Sequence, residues 1–562
     1  MAQPDYALQT EALDLVVAFR WLERDVTDDF YPDPIGYADL FADAAAYLEA
    51  RKHRLLQLDM LPHICELVPK QSKMVREAIC LHPTHRLLYL AILRHFLHRI
   101  DKVLLRAAYS YRPDDPNDAD VYPFQHSVQR WKVFINDFRE AALRPTTGAV
   151  LLTDIASYYD HIQCDKLTMA VESLLGPTAT ETDRAVLRLL SKLLKMWSTD
   201  CFGMPQNVDP SSFLGSAYLH PIDAELSAEY PVFRYVDDIR IVTRSEADAL
   251  AALHSLQRAL AQHRLFLATD KTYIYLKGTA EFERLLDVSD DVLISEAEEA
   301  IASGDCPRIA DMSERLFTRL HFHSTEVGED RKFRAFANRL LDASDFTGLR
   351  EAIYNRVMEF VAPRLSSHPQ RSDYWVKMLG AHPGPWAVDA MRRHLVMEPS
   401  PFAWQRFQLW RLGVQQPPRL PEDIFAAALD AAASTASSHE AAQAALCAGK
   451  HGDNTSREAL FRLFSAQASY PMRRAILLAI QELPLPLRTH LYERALQINS
   501  DHAELVRWIS ALQSPDYGER SRSDRACKEV PAEVDVHFKQ GIGLVNGHVT
   551  SFRLSRDDYG YD

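Results

Sequence analysis

Phe233-Arg234-Tyr235-Val236-Asp237-Asp238-Ile239-Arg240-Ile241-Val242 is a run of β-formers interrupted by two adjacent carboxylates. Apolar Ile239 and Ile241 alternate with polar positions, so the stretch reads as two short strands meeting at a tight turn with Asp237 and Asp238 at its tip. Acids held that close repel one another unless a cation neutralises them. Nucleotidyl transfer uses such a cation site, with two divalent ions about 4 Å apart clamping the attacking and leaving oxygens. An Asp pair alone is weak evidence. The chain also carries Asp28-Asp29, Asp114-Asp115, Asp290-Asp291 and Asp557-Asp558, all of which read as solvated loops. Only the pair at 237–238 has a strand-turn-strand setting.

The partners such a pair would need follow in order. Ala149-Val150-Leu151-Leu152-Thr153-Asp154 is a short apolar run ending on a carboxylate, with Tyr158 and Tyr159 just beyond. A buried strand there delivers Asp154 at its C-terminal end; the plainer reading is an acid that caps the next turn. Gly203-Met204-Pro205-Gln206-Asn207 opens a loop of turn-formers that feeds an apolar helix. After the hairpin come an Ala/Leu-rich helix and then Leu265-Phe266-Leu267-Ala268-Thr269-Asp270-Lys271.

In this order and spacing the four segments resemble motifs A, B, C and D of reverse transcriptases. Tyr235-Val236-Asp237-Asp238 looks like the family's Tyr-x-Asp-Asp box, and Asp154 like its motif A aspartate. The resemblance implies metal ligation by Asp154, Ile155, Asp237 and Asp238, with Mg²⁺ as the ion and Mn²⁺ as the alternative. It makes Tyr159 the aromatic gate against a 2′-hydroxyl and places Gln206 and Tyr235 near the incoming nucleotide. Lys271 becomes the proton donor to departing pyrophosphate. Tyr109-Ser110-Tyr111-Arg112-Pro113 is similar to a segment just ahead of the family's palm. Lys73, Arg76 and Arg86 are the cations expected to meet a triphosphate, although each could be a plain surface charge. One position departs: Asn207 stands where the family usually has glycine after the glutamine. Asn tolerates positive φ better than most residues, so the turn can survive while the template contact changes.

Composition bounds the rest. The 562 residues exceed one domain, and 47% hydrophobic with 25% charged content is ordinary for a soluble protein. No apolar run reaches the length of a membrane span. Met1-Ala2-Gln3-Pro4-Asp5 lacks the basic-then-apolar pattern of a signal peptide. The seven cysteines are scattered without Cys-x-x-Cys, so neither a disulfide framework nor a zinc site is favoured, and a cytoplasmic location is expected. His82 and His85 read as surface residues. The net charge of −14 opposes an open duplex cradle. Two basic stripes, Arg99/Lys102/Arg106 and Arg184/Arg188/Lys192/Lys195, could track a backbone or be solvated helix faces.

The expected class is α+β. Residues 1–145 hold N-terminal helices and fingers, and 146–285 a right-hand polymerase palm with a βαββαβ-like sheet. Residues 290–512 read as an all-α, HEAT-like repeat domain, since strand signals vanish and Ala/Leu-rich helices take over. Residues 513–562 read as a polar linker and a tail with a β-hairpin signalled by Asn546-Gly547. A palm with a long helical half and no evident thumb resembles the abortive-infection (AbiK-like) and "unknown group" bacterial reverse transcriptases. That resemblance implies antiphage defence, dNTPs as substrates, a short single-stranded DNA product, an uncertain RNA template, no membrane partner and a homo-oligomer. In that branch some members synthesise without template, primed on their own tyrosine. The alternatives are a templated retron- or intron-type enzyme and a non-catalytic nucleic-acid-sensing scaffold.

Overall fold

Val232–Tyr235 (β4) and Asp238–Thr243 (β5) form the expected hairpin, joined by Val236 and Asp237 alone. This computed structural model describes residues 13–52, 61, 63–114, 122–326, 330–348, 350–381, 384–433 and 437–518. The sheet has the order β4-β5-β3-β6, with β3 at Ala149–Asp154 and β6 at Tyr273–Leu276. All three pairings are antiparallel. β3 lies between two neighbours, which is why Ala149-Val150-Leu151 is a continuous apolar run rather than an alternating one: all three are fully buried. A separate two-stranded hairpin, β1 (Ile64–Pro69) with β2 (Val75–Cys80), precedes the sheet.

Helices around the sheet follow their sequence signals. Cys164–Leu175 buries Leu167, Val171 and Leu175 and stops at Gly176, whose φ of 58° a side chain would resist. Glu181–Trp197 starts with a capping box between Thr180 and Asp183 and buries Leu187, Leu190, Leu194 and Trp197. Pro83–Asp101 is buried along most of its length, from Leu87 to Leu93 and again at Phe96, Leu97 and Ile100. This overturns the surface reading of His82 and His85. His82 caps this helix, accepting the Thr84 amide at 3.2 Å, and the fully buried His85 faces the Trp197 indole N–H at 3.4 Å.

The chain divides into two units. The first comprises residues 1–30, 44–65 and 78–287; the second comprises 31–43, 66–77 and 288–562. The N-terminal 145 residues are therefore not one block, because two of their segments belong to the helical unit. Arg474 shows why: it lies on helix Tyr470–Ala479, is 1% exposed, and takes Asp33 and Asp39 each at 2.7 Å. Tyr31 packs edge-on to Phe407, and Glu66 accepts from the His439 amide at 3.1 Å.

Within the helical unit the helices are unequal, from the 20 residues of Cys306–Thr325 to the 4 of Arg364–Ser367, with a π-helical stretch at Arg392–Met397. Small residues set the closest approach: a Cβ added at Gly449 would lie 2.4 Å from that of Ala479. Residues 513–518 are tied down rather than free linker, since Asp516 exchanges two hydrogen bonds with the Gln481 side chain, at 2.8 and 2.9 Å. The tail hairpin expected at 542–552 lies outside the described residues. Among the described residues no helix is long and apolar enough to cross a membrane.

Candidate active site

The antiparallel register of β3 with β5 sets Asp154 directly opposite Asp238. Asp237 occupies the adjoining turn, and its carbonyl takes the Ile155 amide at 3.2 Å. On the other edge Ala156 donates to Phe266 and Ala268 donates to the Asp154 carbonyl, both at 2.8 Å. Amide and carbonyl of one extended residue point the same way, so the Ile155 carbonyl faces the turn that carries Asp237. Lys271 arrives from the short 3₁₀ turn Thr269–Lys271 and places Nζ 2.7 Å from Asp154 Oδ2.

The turn is held under constraint. Val236 has φ 55°, an uncommon conformation for a β-branched residue. Its amide donates to Ser110 Oγ at 3.1 Å, and its carbonyl accepts from Arg234 Nη1 at 2.9 Å. Arg234 is buried and forked onto Asp223, with Nη2 2.6 Å and Nε 2.8 Å from its oxygens. Ser110 came from the resemblance; the Arg234–Asp223 clamp went unread. Its signals were an arginine inside a fully buried strand and an acid inside an apolar helix, Asp209–Ser227.

The loop after Gly203 closes a second side. The Met204 amide donates to the Tyr159 carbonyl at 3.2 Å, and Gln206 Nε2 donates to Asp160 Oδ1 at 2.7 Å. The Tyr159 hydroxyl donates to Ser212 at 3.2 Å. Tyr158 instead points into the fold, bonded to the Gly215 carbonyl at 2.6 Å. Asn207 adopts φ 56°, so the left-handed turn survives without glycine. Arg86 Nη2 donates to the Asn207 carbonyl at 3.1 Å.

Burial raises the Asp154 carboxyl above its ordinary range although Lys271 pulls it down. Burial first, then repulsion from Asp154, pushes Asp237 well above it. Asp238 is met by Arg240 at 3.2 Å. Among the described residues no three His, Cys, Asp or Glu side chains close into a ready-made metal cage; Lys271 pairs with Asp154 and Arg240 with Asp238. The donor set is nonetheless all hard oxygen, three carboxylates and a carbonyl, which suits Mg²⁺ or Mn²⁺.

Other expected residues have settings of their own. Tyr235 is 1% exposed and gives its hydroxyl to the Ser127 carbonyl at 3.1 Å, anchored against Trp131. Exposed Lys73, at the β1–β2 turn with φ 64°, and half-buried Arg76 group with the helical unit, whereas the carboxylates belong to the first. Arg86 is buried and bonded to Asp25 and Asp29, so Asp29 is no solvated loop acid. Nor is Asp290, which is 7% exposed and 3.1 Å from His323. The basic stripes meet acids: Arg99 bonds Asp183, Arg188 lies 3.3 Å from Glu181, and Lys195 lies 2.7 Å from Asp165.

Residues 82–306 match the family described as "Reverse transcriptase (RNA-dependent DNA polymerase)". No curated protein matches the chain. Similar solved structures include apo telomerase from Candida tropicalis, at 11% identity over 81% of this chain and 68% of that one, with a TM-score of 0.30. Telomerase from Candida albicans, in complex with a TWJ fragment of telomeric RNA, gives 12%, 57%, 66% and 0.28 for the same quantities. The C. tropicalis enzyme truncated from its C-terminal domain gives 10%, 39%, 50% and 0.29. The chain thus spans from half to about two thirds of these proteins' length, and superposition this loose carries no weight. The acid-bearing sheet, the clamp on its turn and the match to the reverse-transcriptase family all fall on one stretch, residues 82–306.

Proposed function

We propose that this domain joins deoxynucleotides by two-metal phosphoryl transfer at Asp154, Asp237 and Asp238. The observation that carries the reading is the register placing Asp154 across from Asp238, with Asp237 in the adjoining turn. Asp154, Asp237, Asp238 and the Ile155 carbonyl would hold the ions, which when bound supply charge neutralisation at the transferring phosphoryl group. A 3′-oxygen attacks the α-phosphorus, and the bond to pyrophosphate breaks. Lys271, released from Asp154, gives its proton to that leaving group. Tyr159, fixed by Ser212, excludes a 2′-hydroxyl, and Gln206, fixed by Asp160, lines the nucleotide's side.

The finer reading is a cytoplasmic antiphage enzyme of the abortive-infection branch. It acts as a homo-oligomer, makes short single-stranded DNA without a template, and primes on its own tyrosine. Sequence resemblance supports it, together with the acidic balance and the side chain that Asn207 places where glycine would leave room. The templated retron- or intron-type enzyme is the alternative. The deciding experiment incubates the purified chain with each dNTP and Mg²⁺, with and without template–primer, followed by gel and phenol partition. Incorporation that Asp237→Ala abolishes supports the polymerase, and phenol-partitioned product without template supports the finer reading. A folded chain inactive in both arms overturns the proposal.

A further inference from the structure

The helical unit gathers positive charge around Asp330. Arg334, on helix Asp330–Thr347, is 3% exposed, and its Nε lies 3.4 Å from Asp330 Oδ2. Arg371 brings its Nε to 3.7 Å from the same oxygen. Arg364 lays its guanidinium 3.3 Å from the centre of the Phe333 ring and gives Nη1 to the Phe360 carbonyl at 2.9 Å. His368 lies within electrostatic range of Asp330, Arg364, Arg371 and Lys73. Lys73 enters from the β1–β2 hairpin tip, whose residues 66–77 belong to this unit. Four cations, Lys73, Arg334, Arg364 and Arg371, thus gather about Asp330, and Asp373 lies within electrostatic range of Arg334.

The pairing is also poor. The buried Nε atoms of Arg334 and Arg364 make no hydrogen bond, and neither does Asp330 Oδ1. Buried donors are rarely left so, and each exception wants a reason such as an absent ligand. Arg474, in the same unit, is the contrast: equally buried, it takes Asp33 and Asp39 with Nε, Nη1 and Nη2, at 2.7, 2.8 and 2.7 Å. Its neighbours hold that guanidinium well above its ordinary value despite burial. Burial instead pushes Arg364 down to about 10, and burial with repulsion from Arg371 lowers Arg334. Burial lowers His368 too.

We infer that Lys73, Arg334, Arg364 and Arg371 form a binding site for a phosphate group. Guanidinium forks match phosphate oxygens in pairs, and an exposed lysine adds a point charge. The phosphate can belong to a single strand's backbone or to a free triphosphate. The site is independent of the carboxylate chemistry, and it gives Lys73 companions other than those expected from sequence.

The test uses the full chain with EDTA present, so that failure here leaves the polymerase reading untouched. The probes are a short fluorescein-labelled oligothymidylate, followed by anisotropy across a salt series, and inorganic triphosphate, followed by calorimetry and by competition. Lys73→Ala and Arg371→Gln should each weaken binding about tenfold, and Lys73→Ala should reduce the salt slope by about one. Asp330→Asn removes the competing carboxylate and should tighten binding several-fold, a gain that misfolding cannot produce. Oligothymidylate binding that triphosphate does not displace identifies a strand; displacement by triphosphate identifies a nucleotide. Absence of binding by either probe, or affinities of all three variants within twofold of the unaltered chain, overturns the site.

Discussion

Lys271 and Asp154 are joined by a 2.7 Å ion pair that spans 117 residues of sequence. In the proposed reaction Lys271 would leave this carboxylate to serve the leaving group. Lys271→Ala should lower kcat on the order of 100-fold while KM for the nucleotide moves only a few-fold, as expected for a general acid. Single-turnover kinetics separate the two; a defect confined to KM would leave Lys271 as a charge partner only.

Tyr159 rather than Tyr158 should select the sugar, because Tyr158 is fixed beneath Gly215 by a 2.6 Å hydrogen bond. Tyr159→Ala should raise ribonucleotide use about tenfold or more relative to deoxynucleotide, since the ring discriminates by volume. Competing incorporation of rNTP and dNTP measures the ratio. No change in that ratio would remove the gate from this residue.

Asp223→Ala strands a buried guanidinium and should cost about 3–5 kcal/mol in urea unfolding. The double variant Arg234→Met with Asp223→Leu should recover much of that stability. It should not recover activity, because the Val236 carbonyl has still lost the donor 2.9 Å away. Equal recovery of both would show that the clamp serves stability alone.

Asp183 gives a pH signature. Its hydrogen bond from Arg99, then those from Thr180 and His95, hold the carboxyl well below its ordinary 3.8. A depressed folded value means stability that is present above pH 3.8 and is lost as pH falls through the folded value. Arg99 is partly in solvent, so Asp183→Asn should cost about 1–2 kcal/mol at pH 7. The difference between variant and parent should shrink in acid; a difference that stays constant with pH would place the effect in capping alone.

A chain ended after residue 285 should be poorly soluble and inactive. Asp33 and Asp39 would lose Arg474, and Tyr31 would lose Phe407. Expression and light scattering of the shortened chain check this; a soluble, active fragment would contradict it.

What the sequence disclosed was local. The β4–β5 hairpin, the strand ending on Asp154 and the stop at Gly176 depend on residues a few positions apart, where alternation and turn chemistry are written directly. What it concealed was set by distant partners. Arg99 reads as part of a basic stripe until Asp183 is found beside it, and His85 reads as surface until Trp197 covers it. Arg234 looks like a charge on a strand, and only Asp223 and the Val236 carbonyl explain its burial. The hairpin tip at 66–77 gives no local sign of the unit to which it belongs.

The bond between Asp33 and Arg474 crosses 441 residues, which makes it a clock as well as a contact. A ribosome adding about 5–20 residues per second needs roughly 20–90 s to travel that far. Through that interval Tyr31, Ile35 and the acids beside them have emerged, while the helices that cover them do not yet exist. The second unit therefore cannot be completed from its C-terminal part alone, nor can the N-terminal region settle as each piece appears. Its last step is the capture of segments made at the beginning, so the newborn chain carries an uncovered apolar strip for most of its synthesis. Chaperone demand and loss to aggregation should thus depend on the rate of translation through residues 400–480.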